Sequence, residues 1–265
     1  MQTPDEAPFS AAEFVDCLRR EGAKRYHDEH PFHVRMHAGQ LDRAGLQAWV
    51  LNRYYYQTRI PIKDAIIVSK SDDPAFRRSW IRRVHDHDGL PNSGASLGGD
   101  TPVSGMPVPE GQAAAPIGGL AQWLRLAEGV GLDRETVATC RDVLPGVRFA
   151  CDAYVTLVRE SPLVVAVASS LTEFFAPDLM SKRIAAWERH YPWVDPASLA
   201  YFRGRVTRAR RDSEEAIAFV TQGARTRDLQ EACVAALIKK TEILWHLLDC
   251  VERHVDRGAR RDERG

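Results

Sequence analysis

Helix-opening signals recur along this chain so densely that they leave little room for any other secondary structure. Ser10 followed by Glu13 forms a capping box, in which each side chain satisfies the other's backbone donor, and predicts a helix to about Tyr26. Asp73 before Pro74 and Asp195 before Pro196 pair a side-chain cap with a residue that fits the first helical turn; the helix from Asp73 should stop at Gly89. A further stretch runs from about Asp42 through Gln57, meets Pro61 and resumes to about Ser69. Later starts fall near Leu120, Asp133 and Pro145. Asp212 reads as another opener, and Thr226 as the cap of a final long helix to about Val255. The apolar run from Pro162 to His190 should kink at Pro177, where a backbone donor is missing. Val164–Val167 is the only strand-like run, and its flanks read as helix. These signals predict an all-α bundle with no sheet.

Residues 90–119 break the pattern. Gly, Pro, Ser and Ala crowd LPNSGASLGGDTPVSGMPVPEGQAAAPIGG, which has too little apolar surface to order itself. We expect a mobile insertion within one helical domain over residues 1–258, with a frayed tail beyond. Each flank is too short to hold a core of its own. The insertion reads equally as a lid, a partner-docking loop or a tolerated excursion.

Composition narrows the function. Thirty-six basic and thirty-six acidic residues cancel, so overall charge favours neither nucleic acid nor an anionic membrane. No apolar run approaches the roughly 20 residues of a bilayer span, and the N-terminal MQTPDEAPFSAAEF has no basic or apolar leader region. The five cysteines are odd in number and contain no CxxC pair, as in a reduced, cytoplasmic protein.

What stands out is polar side chains on helices that otherwise read as buried. Arg53, Tyr56 and Gln57 share one helix face, with Lys63 just beyond the proline. Arg83 and His87 are four apart, as are Tyr201 and Arg205; Glu173 and Lys240 sit in apolar runs. Any one of these has a bland reading as a snorkelling surface residue. As a set they are cations that Glu173 and Asp64 cannot balance, and a polyanionic ligand would. His87 suits proton transfer, because neighbouring cations would keep it a neutral base. A metal site is not expected. His27, His30, His33 and His37 are split by the turn at His30-Pro31, and HDHDG (85–89) lacks the partners of a metallo-hydrolase or EF-hand. The Glu-x-x-His pairs of a di-iron bundle are missing too.

In order along the chain, YHDEHPFHVRMHAG, WVLNRYYYQTRIPIKDA, RRSWIRRVHDHDG, LPGVRFACDAYV, SSLTEFFAP, HYPWV, AYFRGR and ILWHLLD resemble the PqqC family of pyrroloquinoline-quinone (PQQ) synthases, from about Phe14 to Asp249. The resemblance implies a compact haem-oxygenase-like bundle of about seven main helices, usually a homodimer. It implies ring closure and oxidation of a bicyclic polycarboxylate precursor to PQQ, with O2 as acceptor, H2O2 as by-product, and no metal or organic cofactor. On this resemblance His27, Arg53, Tyr56, Gln57, Lys63, Arg83, Tyr154, Glu173, Arg183 and Lys240 line the substrate cavity. His87 is the main acid/base, and Tyr201 and Arg205 lie by the oxygen site. Met180 stands where some relatives have a histidine, which weakens any need for that histidine in oxygen activation. Two other readings stay open: a thiamin-degrading hydrolase, for which Cys151 would be the nucleophile, and a carrier that binds finished PQQ.

Overall fold

The computed structural model describes residues 7–90 and 117–262; most of the insertion lies outside them. Twelve α-helices follow in order: α1 (Ala11–Ala23), α2 (Pro31–His37), α3 (Arg43–Ser69), α4 (Pro74–Trp80), α5 (Arg82–Asp88), α6 (Gly119–Gly129), α7 (Arg134–Ala138), α8 (Pro145–Glu160), α9 (Leu163–Ala168), α10 (Ala176–His190), α11 (Ala200–Gly223) and α12 (Arg227–Asp262). Seven of these span eleven residues or more, and no strand occurs among the described residues.

Local chemistry explains most of the starts. Ser10 and Glu13 form the reciprocal capping box of α1. Asp42, Asp73, Asp133 and Asp195 each accept a backbone N–H of the turn that follows. His30 caps α2 in the same way, its Nδ1 accepting from the Phe32 amide ahead of Pro31. α3 is the central post, packed against α8, α5, α6 and α12. Leu46, Trp49, Gln57, Ile60 and Asp64 are buried along one side of it, while Ala44, Ile62, Ala65 and Ser69 are exposed on the other. At its upper end Trp49 meets Trp123, Trp187 and Phe202 at ring-centroid distances of 5.5, 6.0 and 6.3 Å, tying α3 to α6, α10 and α11.

Four expectations are revised. α3 runs unbroken through Pro61, which offers no donor to the Gln57 carbonyl. The 162–190 run breaks before Pro177, at a 3-10 turn over Leu171–Phe174, and Pro177 sits in the first turn of α10, where its missing N–H is harmless. By length and composition this run passes for a membrane span, with mean hydropathy 1.4, yet it is broken into pieces and mostly buried. Asp212 opens nothing; it lies inside α11 as a buried counter-ion. α12 continues past Val255 and Arg257 to Asp262.

Gly89 ends α5 with φ +87°, and Gly118 opens the chain into α6. These two glycines touch. A Cβ on Gly118 would stand 2.3 Å from the Gly89 nitrogen and 2.6 Å from the His87 carbonyl oxygen, so no larger residue fits there. Gly89 and Gly118 therefore hold the end of α5 against the start of α6, beside the His87 carbonyl.

Candidate functional site

One cavity gathers most of the polar side chains singled out above. Its wall includes His27, Arg53, Tyr56, Gln57, His87, Glu173, Met180, Arg183, Tyr201 and Arg205, completed by Tyr26, Ile60, Trp123, Thr172, Ala176 and Leu244. It offers about 60 Å³ to the centres of water molecules, room for roughly four to six waters. Lys63, Arg83, Tyr154 and Lys240 are not in the wall but stand buried behind it. Lys240 Nζ donates to the Tyr56 hydroxyl at 2.8 Å and lies 3.3 Å from the centre of the Tyr154 ring. Lys63 donates to Ser170 at 2.9 Å and pairs with Asp64 at 2.7 Å, while Asp64 also accepts from the Trp80 indole.

The ion pairs divide the cations into two groups. On one side, Arg205 pairs with Glu173 and, at 3.4 Å, with Asp212. Asp212 also sits 3.8 Å from Arg83 and 2.7 Å from Arg211, and its backbone carbonyl accepts from Arg83. Burial alone would raise the Asp212 carboxyl, but Arg83 and Arg205 hold it below its usual range. Sequence reasoning counted only Glu173 and Asp64 as anions and missed this one. The available signal was spacing, since Arg205 and Asp212 are two helical turns apart and share a face.

On the other side, Arg53, Arg183 and Lys240 have no carboxylate partner among the described residues. Aromatic faces serve instead: Arg53 lies 3.9 Å over Tyr56, and Arg183 4.9 Å over Trp49. One Arg53 terminal nitrogen and the Arg183 Nε are buried with no hydrogen-bond partner. Burial, then Arg53, brings Arg183 down to about 9. Burial, then Arg53 and Lys63, drives Lys240 well below the usual lysine value. Cations so arranged repel one another, and an anion placed among them relieves the repulsion.

His87 is held as a base. Its Nδ1 faces the Arg83 carbonyl at 3.1 Å, an acceptor, so Nδ1 must carry the proton and Nε2 keeps its lone pair. Burial, then the charge of Arg205, lowers it to about 4. Tyr201 donates to Gln57 at 2.7 Å. Arg205 reaches the cavity with its charge already balanced by two carboxylates, so it offers N–H donors more than net charge.

His27 and His33 join His87 as buried neutral imidazoles, both held well below the ordinary histidine value, first by burial. In the unfolded chain all three take up a proton below about pH 6.5. Stability from these groups is therefore present above that pH and lost as pH falls from 6.5 toward 4. Three fully buried histidines predict a loss of about 4 kcal/mol between pH 7.5 and 5.5. Urea midpoints at the two pH values check this; equal midpoints would show that the histidines charge freely in the folded state.

Two other groupings carry no such chemistry. His30, Asp249 and Glu252 place ligand atoms within 4.8 Å of one another. Nδ1 of His30 accepts from the Phe32 amide, so Nε2 holds the proton, donates to Asp249 at 3.2 Å and has no lone pair for a metal. Cys151 is buried away from the cavity wall, and burial pushes its thiol up to about 12, which leaves the hydrolase reading without a nucleophile.

Comparison with known proteins agrees with this architecture. The TENA/THI-4/PQQC family description matches residues 18–250. A pyrroloquinoline-quinone synthase of Rhizobium meliloti is 49% identical over 230 residues, 87% of this chain and 81% of that protein. The Gluconobacter oxydans pyrroloquinoline-quinone synthase is 43% identical over 247 residues, 91% of this chain and 94% of that protein. Among solved structures, a domain with a heme oxygenase-like fold from Shewanella denitrificans superposes with a TM-score of 0.69 at 13% identity, covering 94% of both chains. A TenA homologue from Pseudomonas syringae gives 0.63 at 12% identity, covering 96% of this chain and all of that one. The chain belongs to the TENA/THI-4/PQQC family.

Proposed function

We propose that this protein is a pyrroloquinoline-quinone synthase, an oxidoreductase that closes the last ring of a bicyclic polycarboxylate precursor and oxidises it to PQQ. O2 is the acceptor and leaves as H2O2, and neither a metal nor an organic cofactor takes part. The observation that carries this reading is the pairing of Arg53 and Arg183, which have no carboxylate partner among the described residues, with a neutral, lone-pair-bearing His87 on the wall of one cavity that Lys240 backs. The two arginines draw the carboxylates in and are stabilised by them, with each fork matching two carboxylate oxygens. His87 Nε2 then removes protons from ring carbons of the bound precursor. Gln57 and Arg205 supply N–H donors where reduced oxygen and peroxide carry charge, with the Tyr201 hydroxyl donating to Gln57 and fixing its amide. A bicyclic guest is larger than the space now present, so the wall opens to admit it. The close relatives named as PQQ synthases support a place in PQQ biosynthesis. We place the enzyme in the cytoplasm as a homodimer.

The test is a single anaerobic incubation of chelator-treated protein with precursor, followed by admission of oxygen. Quinone absorbance and peroxide are expected to rise together, at a rate that chelators do not change. Stoichiometric binding of finished PQQ without turnover would instead mark a carrier.

A further inference from the structure

The cavity's arginine on α10 is held by a residue that the cavity wall itself does not include. His33, on α2, is buried, and its two ring nitrogens face in opposite directions along one line of contacts. Nδ1 meets the His27 carbonyl at 2.8 Å, and that oxygen can only accept. Nε2 meets the Arg183 guanidinium at 3.2 Å, and that nitrogen can only donate. Both contacts are satisfied only when His33 is neutral with its proton on Nδ1. One ring therefore fixes the backbone at His27 and the guanidinium of Arg183, two residues of the wall.

We propose that His33 is a positioning residue for polycarboxylate binding, an uncharged acceptor that orients Arg183 without neutralising it. The proposal rests on reading the cavity as a polycarboxylate site. Its physical content lies in the contrast with Arg205. That arginine is held by carboxylates, which fix its direction but cancel its charge. A carboxylate at position 33 would orient Arg183 equally well and compete with the incoming ligand. An imidazole lone pair gives orientation while the positive charge stays available. Protonating the ring would remove the acceptor and set a second cation beside Arg183, and its burial among Arg183, His27 and His37 opposes that.

The experiment uses the full chain, with PQQ as the binding probe, and compares wild type with His33→Gln and His33→Glu. Glutamine presents a donor and an acceptor as the imidazole does, so PQQ affinity is expected to stay within about threefold of wild type. Glutamate adds a competing charge, and affinity is expected to fall about tenfold to a hundredfold, by the strength of one charge-assisted contact. Urea midpoints for both variants separate this from a loss of fold. Glutamate binding PQQ as tightly as wild type, or glutamine losing as much as glutamate, would overturn the assignment.

A second measurement stands apart from ligand binding and from variant folding. Nitrogen-15 correlation spectra of wild-type protein at pH 7 are expected to show His33 protonated at Nδ1 alone. A doubly protonated ring, or a proton on Nε2, refutes the proposal directly. Wild-type protein that fails to bind PQQ would count against the cavity reading, and the spectra would still decide the state of His33.

Discussion

Replacing His87 by alanine is expected to cut turnover of the precursor by about 10²–10⁴-fold, the range a positioned general base supplies, while PQQ binding stays within a few-fold of wild type. The asymmetry follows from its state: a neutral imidazole contributes no charge to holding a polyanion, whereas its Nε2 keeps a lone pair on a residue of the cavity wall. The effect should therefore appear in kcat and not in KM. With its own pKa near 4 in the free protein, His87 is already a base across the neutral range. Loss of its proton should accordingly not limit kcat/KM between pH 6 and 8. A variant that turns over at the wild-type rate would remove His87 from the chemistry.

Asp212→Asn is expected to cost about 3–5 kcal/mol of folding stability, as when one member of a buried ion-pair cluster is removed and its partners remain. Arg83 and Arg205, both buried, lean on this carboxylate, and the amide that replaces it has no charge to offer them. Arg83 keeps its bond to the Asp212 backbone carbonyl, so its direction should survive better than its energetic balance. Glu173→Gln is the informative comparison, because Glu173 is partly exposed and Arg205 would retain Asp212. Its loss should be clearly smaller. Urea denaturation of the two variants beside wild type reads both numbers, and equal losses would show that Asp212 has no special place in the cluster.

The parts of this fold that could be read in advance were those decided by neighbours in sequence. Ser10 with Glu13, and the aspartates before Pro74 and Pro196, act within one helical turn, and a capping bond needs nothing from the rest of the chain. Asp212 shows the limit. The same side chain that caps a helix also neutralises arginines, and only the approach of α5 to α11 selects between the two. Pro177 likewise looks the same in a kink as in a first turn. For the site, helix-face spacing was enough to group Arg53 with Tyr56 and Gln57, and Tyr201 with Arg205. It said nothing of which cations would find carboxylates, since Arg205 meets Glu173 and Arg183 meets His33 across elements far apart in sequence. It also could not separate wall from backing, so Lys63, Arg83, Tyr154 and Lys240 were grouped with residues that they support from behind. His33 is read from the sequence only as a metal ligand and set aside; its bond to the His27 carbonyl is local, but its bond to Arg183 exists only once α2 lies against α10.

The touching glycines beside His87 bear on how this proposed base tolerates change nearby. Because Gly89 and Gly118 pack backbone to backbone, the ends of α5 and α6 are held together by their own contact. The entropy of closing a longer excursion grows only as the logarithm of its length, roughly 0.6 kcal/mol for each doubling. The contact of Gly89 with Gly118 thus leaves the aim of the imidazole to α5 and α6 themselves.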